Sequence, residues 1–327
     1  MIGVQLAHKL GIIGYGVHAK RLTSIIEEYS NFEISHIYHP TKIFNDFYST
    51  KKIEELYACD GIIIASPNIT HFDYIEKFLK NSKCFIFCEK PPCVTLNEIK
   101  KLSVLDDDDK KRIFFNFNFR FSQVSQLIKK ITESKQFGKI THINIISAHG
   151  LSFKNNYLKS WRSARNNLHN ILDTFTIHYI DLMNFHFGKS NQFNYIPSKF
   201  SDNGDSFDTC NVLIEYDNHF TCSIFNSYAS SYVEDILINC TNGYVTIRNN
   251  LISEFYPRDT FDTNEHFITP PIINQSSLSM NSNYEISLKN SVNHFLSHLE
   301  KKIFFSLSDF EMSLATNVDV LKMKNIS

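Results

Sequence analysis

Ten glycines serve a chain of 327 residues, and three of them fall within six positions, in Gly11-Ile-Ile-Gly-Tyr-Gly16. The cluster follows a short apolar-leaning run, Lys9 to Ile13, and precedes a stretch in which Leu22, Ile25 and Ile26 recur at helical spacing. Strand, glycine turn and helix in that order form the setting in which a G-x-G-x-x-G/A turn accepts a pyrophosphate. Gly14 permits the tight turn, Gly16 lets the backbone approach a phosphate, and Ala19 takes the third position, where helix and strand pack closely. The helix offers its first amides and the positive end of its dipole to the phosphates, so Val17 and His18 count with the cofactor-binding positions.

The first 120 residues repeat this alternation. Phe32 to Tyr38 reads as a strand, and Pro40 to Ser49 leaves room for little more than two helical turns. Gly61 to Ala65 is a continuous apolar strand of the kind a sheet covered on both faces requires. A helix from about His71 to Lys80, a strand Cys84 to Cys88, a helix opened by the capping box Thr95-Leu-Asn-Glu98 and a strand Ile113 to Phe117 follow. With Lys51 to Leu56, before Gly61, counted as the third, these are six strands with helices between them, and they predict a doubly wound parallel sheet of Rossmann type.

Beyond Arg120 the pattern changes. A helix from about Ser122 to Ser134, a strand Ile140 to Ala148 and a helical run Leu168 to Phe187 precede closely spaced strands at Cys210 to Tyr216, Phe220 to Tyr228, Val233 to Cys240 and Tyr244 to Arg248. Helices at about Glu285 to Lys301 and Leu307 to Lys322 end the chain. The expectation is an α/β protein with a dinucleotide-binding domain over residues 1–120. An α+β domain with a large, mainly antiparallel open sheet then occupies residues 121–327, for substrate binding and oligomerisation.

Composition narrows the class. A content of 43% hydrophobic and 20% charged residues is globular, and a net charge of −1 offers no footprint for nucleic acid or an acidic membrane. No apolar run approaches the roughly 18 residues of a membrane span, and no signal-peptide design precedes the first strand, so the expected location is the cytoplasm. Seven cysteines over this length argue against a disulfide framework. Cys84, Cys88 and Cys93 lack a second ligand pair at zinc spacing, so no metal is expected.

Four motifs in one order, Gly14-Tyr-Gly-Val-His-Ala19, Ala65-Ser-Pro-Asn-Ile-Thr-His71, Cys88-Glu-Lys-Pro91 and His178-Tyr-Ile-Asp-Leu182, resemble the glucose-fructose oxidoreductase and inositol dehydrogenase (Gfo/Idh/MocA) family over nearly the whole chain. The resemblance implies a nicotinamide-dependent oxidoreductase acting on a sugar or polyol, including nucleotide-linked sugars of surface-polysaccharide synthesis. It implies that Lys90 sits beside the nicotinamide and the reacting hydroxyl, with Glu89 orienting it and Pro91 fixing the backbone. Ser66, Pro67, Asn68 and His71 would line the cofactor, and a homodimer or homotetramer would form through the second-domain sheet.

Cofactor choice is read after the second strand, where an acid would bond the ribose 2′-hydroxyl. Here stand His39, Thr41 and Lys42, an uncharged or cationic tip beside a hydroxyl and an amine. That set suits a 2′-phosphate, so NADP(H) is expected over NAD(H). His178 titrates near neutrality as a free side chain, which fits a general acid or base. The family commonly places an Asp four residues earlier, where this chain has Thr174; Asp173 lies about 100° around an α-helix from that position. Trp161, Arg162, Thr174 and Asp181 complete the expected substrate contacts with Lys90 and His178. Two alternatives stay open: a glycosidic elimination with transient cofactor oxidation, and a non-catalytic protein that binds NADP(H) and a sugar.

Overall fold

The computed structural model describes residues 7–45, 48–134, 136–160, 162–164, 170–278 and 283–325. The chain divides into two compact units, Met1–Asn118 with Leu288–Leu321, and Phe119–Ser287 with Lys322–Ile326. The contacts therefore group residues 288–321 with the first unit, where a single cut near residue 120 would assign them to the second.

The first unit runs β1 (His8–Ile13), α1 (Val17–Ile26), β2 (Phe32–Tyr38), β3 (Ser49–Thr50), β4 (Gly61–Ile64), α2 (His71–Asn81), β5 (Phe85–Glu89), α3 (Leu96–Ser103), α4 (Asp107–Lys110) and β6 (Ile113–Asn116). The strands pair in parallel in the order β3-β2-β1-β4-β5-β6. The order reverses between β1 and β4, the switch point at which such sheets bind ligands. All four residues of β4 are buried, as a sheet covered on both faces demands. Thr95 and Glu98 exchange both bonds of the capping box at the head of α3.

One expectation fails here. The described residues between Pro40 and Ser49 are not helical; the Phe44 amide, which a helix from Pro40 would pair with a backbone carbonyl, goes to a side chain instead. His39 Nδ1 accepts from the backbone N–H groups of Thr41 and Lys42, and Ser49 Oγ accepts from that of Phe44.

The second unit holds α5 (Gln123–Glu133), capped by Ser122, then β7 (Ile140–Ala148) and one π-helical turn, Leu172–Thr176, that runs into α6 (Ile177–Phe187). Leu168 and His169, where that helix was expected to begin, lie outside the described residues. The remaining strands are β8 (Gln192–Ser198), β9 (Thr209–Glu215), β10 (Thr221–Ser227), β11 (Val233–Cys240), β12 (Gly243–Arg248), β13 (Leu251–Phe255) and β14 (Ile272–Ser277). Their order is β14-β13-β12-β11-β7-β10-β9-β8, antiparallel throughout except for β7 with β10. One face of this sheet buries Ile143, Ile145, Val212, Ile224, Ile236 and Val245.

Helices α7 (Asn283–Lys301) and α8 (Leu307–Met323) complete the chain. Phe295 of α7 packs edge-on against Phe87 of β5. The seven cysteines are free thiols, and among the described residues no three or more His, Cys, Asp or Glu side chains form a metal-binding group. No described helix is long and apolar enough to cross a membrane.

Candidate functional site

Parallel pairing brings the ends of β1, β2, β4, β5 and β6 to one edge of the first sheet, and with them every cofactor residue expected from the sequence. The three clustered glycines do different things. Gly11 is inside the sheet, where a Cβ would meet Ile62 and Leu56. Gly14 has φ of +83°, and a Cβ there would lie 2.9 Å from the Ser66 backbone, so the turn requires glycine on two counts. Gly16 has an ordinary φ of −83°, and a Cβ on it would meet no protein atom within 4 Å.

Open space over Gly16 is what a bound phosphate needs. The helix behind it is prepared in the same sense: α1 has no side-chain cap and no acidic residue in its first turn, and Val17 stands 74% exposed. Ala19 is fully buried where α1 meets the sheet.

After β2, the ring of His39 accepts two backbone N–H bonds at Nδ1, so its proton resides on Nε2. Burial and then the Lys42 ammonium lower its pKa. The tip is therefore the uncharged one of the two forms expected, with Thr41 and Lys42 exposed beside it. After β4, the Ser66 hydroxyl meets Thr70 Oγ1 at 2.7 Å, Pro67 is exposed and Asn68 is half-buried.

His71 is turned inward at that edge. It is fully buried, with Nδ1 2.8 Å from the Pro91 carbonyl and Nε2 3.0 Å from that of Ser66. It staples the loop after β4 to the loop after β5. Glu89, also buried, receives His18 Nε2 and Asn116 Nδ2 at 2.7 Å each on Oε1. Burial alone would raise its pKa, but His18 and the two hydrogen bonds outweigh that and lower it. Lys90 follows, half-buried, at the end of β5.

In the second unit His178 is 7% exposed and stacks on Phe119 at 4.8 Å. Asp181 is turned inward. Its carboxylate is fully buried and gripped by Arg120, with Nε to Oδ2 at 2.8 Å and Nη2 to Oδ1 at 2.6 Å. The displaced acid, Asp173, is taken by Lys324 Nζ at 2.5 Å and by the Asn170 amide.

Thr174 stands in a hydroxyl relay. It donates to the Asn170 carbonyl at 2.9 Å and so accepts from the Tyr228 phenol at 2.8 Å. Burial raises the Tyr228 pKa, while Thr174 and the Arg162 guanidinium restrain it. Arg162 is half-buried, and Trp161 lies outside the described residues. Sequence reasoning passed over Tyr228 and Arg120: a tyrosine just past a strand and an arginine 61 positions from its acid carry no local signal.

Comparison with known proteins follows the same division. The family model for an oxidoreductase family with an NAD-binding Rossmann fold, GFO/IDH/MocA, matches residues 8–117, and the model for the GFO/IDH/MocA C-terminal domain matches residues 125–246. Inositol 2-dehydrogenase of Rhizobium meliloti (strain 1021) is 26% identical over 205 residues, covering 60% of this chain and 59% of that protein. Glucose-6-phosphate 3-dehydrogenase of Bacillus subtilis (strain 168) is 23% identical over 217 residues, covering 63% and 61%. The chain thus matches about three fifths of the length of each relative. Among solved structures, an oxidoreductase from Thermotoga maritima superposes with a TM-score of 0.79 at 19% identity, covering 97% of this chain and 96% of the other. An oxidoreductase from Agrobacterium radiobacter in complex with NAD+, L-tartaric acid and magnesium gives 0.76 at 17% identity, covering 98% and 97%. At such identities the likeness is one of fold.

Proposed function

The chain belongs to the GFO/IDH/MocA oxidoreductase family, and from that premise we propose that it transfers a hydride between a nicotinamide dinucleotide and a CH–OH carbon of a sugar or polyol. The observation that carries the reading is the glycine turn. Gly14 is glycine because the fold requires it, whereas Gly16 faces open space at the head of an uncapped helix, so the second glycine answers to a ligand. A bound dinucleotide would supply the hydride acceptor or donor. Gly14 to Ala19 would hold its pyrophosphate, and Ser66, Pro67 and Asn68 are on the same sheet edge.

The chain's own residues would do the rest. The Lys90 ammonium hydrogen-bonds the reacting oxygen and stabilises charge as it develops there. His178 takes or returns the hydroxyl proton. The relatives' names support inositol-like polyols and phosphorylated sugars as the substrate class, and nucleotide-linked sugars belong to the same screen. The His39, Thr41 and Lys42 tip, lacking an acid to repel a 2′-phosphate, supports NADP(H) over NAD(H). We place the reaction in the cytoplasm. The second sheet leaves Leu213 48% exposed beside half-buried Phe225, Ile146 and Leu237 on the face opposite its core, which supports pairing with a second copy there.

Absorbance at 340 nm during a screen of polyols, sugar phosphates and nucleotide sugars tests the proposal. Turnover is expected in the wild type and is expected to fall at least a hundredfold in Lys90→Ala and His178→Ala, on the order of what a positioned proton donor contributes. Unchanged turnover in both variants would remove those assignments. The Thr174 relay, standing where an acid is usual, favours one second reading, a protein that binds dinucleotide and sugar without reaction. Binding of both without any change in absorbance would select it.

A further inference from the structure

The turn that precedes His178 is held by a buried pair of charges. Within it the helix is wider than an α-helix: the Ile177 N–H donates to the Leu172 carbonyl, five positions back, where an α-helix would use that of Asp173. Asp173 Oδ2 accepts the Asn170 N–H at 3.0 Å while Asn170 Oδ1 accepts that of Leu172 at 2.8 Å, a reciprocal exchange of the capping-box kind. Asp173 Oδ1 accepts Lys324 Nζ at 2.5 Å, from 151 positions along the chain. The Lys324 side chain is 3% exposed and that of Asp173 1%. Both residues belong to the second unit, Lys324 through the segment Lys322–Ile326.

A pair so deeply buried is a poor source of stability. Taking two charges out of water costs about what their attraction returns, and apolar side chains of similar size would serve the fold as well. What the pair fixes is geometry. If the turn closed to an α-helix, the Ile177 N–H would pass to the Asp173 carbonyl, and the residues before the turn would rotate about 100° and shift about 1.5 Å relative to those after it. Asp173 would then leave Lys324, and Thr174 would leave the Tyr228 phenol. Beyond the turn, His178 stacks on Phe119 and Asp181 is gripped by Arg120, so the helix itself is fixed.

We infer that Lys324 is a positioning residue for His178: by holding Asp173 it keeps the turn in its π form, and the π form sets where the imidazole stands relative to Thr174 and to a reacting hydroxyl. It acts through Asp173 and the helix backbone. The inference rests on the role given to His178 above.

Turnover, followed by absorbance, and hydrogen exchange of residues 172–178 test the inference on the full chain. Lys324→Met combined with Asp173→Asn removes both charges and leaves an oxygen for the Asn170 amide, so its urea midpoint is expected to match the wild type. Dinucleotide affinity and KM should stay as they are, whereas kcat should fall about tenfold or more, as a misplacement of about 1 Å can cause. Amides of the turn should exchange about tenfold faster. In Lys324→Ala, n-propylammonium should restore part of kcat where sodium chloride at equal ionic strength does not. A folded double variant with the kcat or the exchange of the wild type overturns the inference. Should that variant not fold, Lys324→Ala decides, and no gain from the amine over the salt overturns it. Absence of wild-type turnover on every substrate in the screen overturns instead the underlying function, and with it the role given to Lys324.

Discussion

Gly14 and Gly16 stand two positions apart, and one substitution at each separates what the fold needs from what a ligand needs. Gly16→Ser gives α1 a good capping residue and puts its Cβ where no protein atom lies within 4 Å, so urea unfolding should match the wild type within about 0.5 kcal/mol. Dinucleotide affinity should nevertheless fall at least tenfold by fluorescence titration, because the new side chain occupies the phosphate's space. Unchanged affinity would mean that nothing approaches the turn. Residue roles that depend on a distant partner were not legible in the same way. Asp181 reads from sequence as a substrate contact only because Arg120 is 61 positions away. Asp181→Leu takes the carboxylate from that buried guanidinium, and unfolding should show a loss of about 3–5 kcal/mol. A loss below about 1 kcal/mol would reduce the pair to packing.

At the scale of elements, the pattern found what local physics dictates. The capping box at Thr95, the apolar β4 and the alternating β9 to β12 are each written in a few consecutive residues. Strands β8, β13 and β14 were not anticipated: β14 is exposed on both faces and β8 has no buried residue, so neither carries a hydrophobic face to read. The π-turn at Leu172–Thr176 has a similar lesson, since counting back from His178 at 100° per residue fails once the helix widens. Buried histidines give the elements a pH dependence. Burial first, then repulsion from His298 for His294 and from Lys129 for His186, hold both folded pKa values at about 4, below the roughly 6.5 of an unfolded chain. Between those values the unfolded chain binds protons that the folded one refuses, so stability should fall as pH drops from about 6.5 toward 4. The urea midpoint should be lower at pH 5 than at pH 7 and less so in His294→Asn and His186→Asn. A midpoint independent of pH over that range would contradict the assignment.

At the scale of the molecule, the doubly wound sheet followed by a mainly antiparallel one could be read from the spacing of strands and helices alone. The return of Leu288–Leu321 to the first unit could not, because amphipathic helices do not record which sheet they cover. That Thr174 stands four residues before His178 was also legible, whereas its bond to the Tyr228 phenol, 54 positions away, was not. The account as a whole depends on a dinucleotide in the first unit with its reactive ring at Lys90. A crystal structure of the protein grown with NADP+ tests this most directly. It should contain the pyrophosphate over Gly16 and the nicotinamide ring beside the Lys90 ammonium; a nicotinamide bound away from Lys90, or a glycine turn that excludes the pyrophosphate, would contradict it.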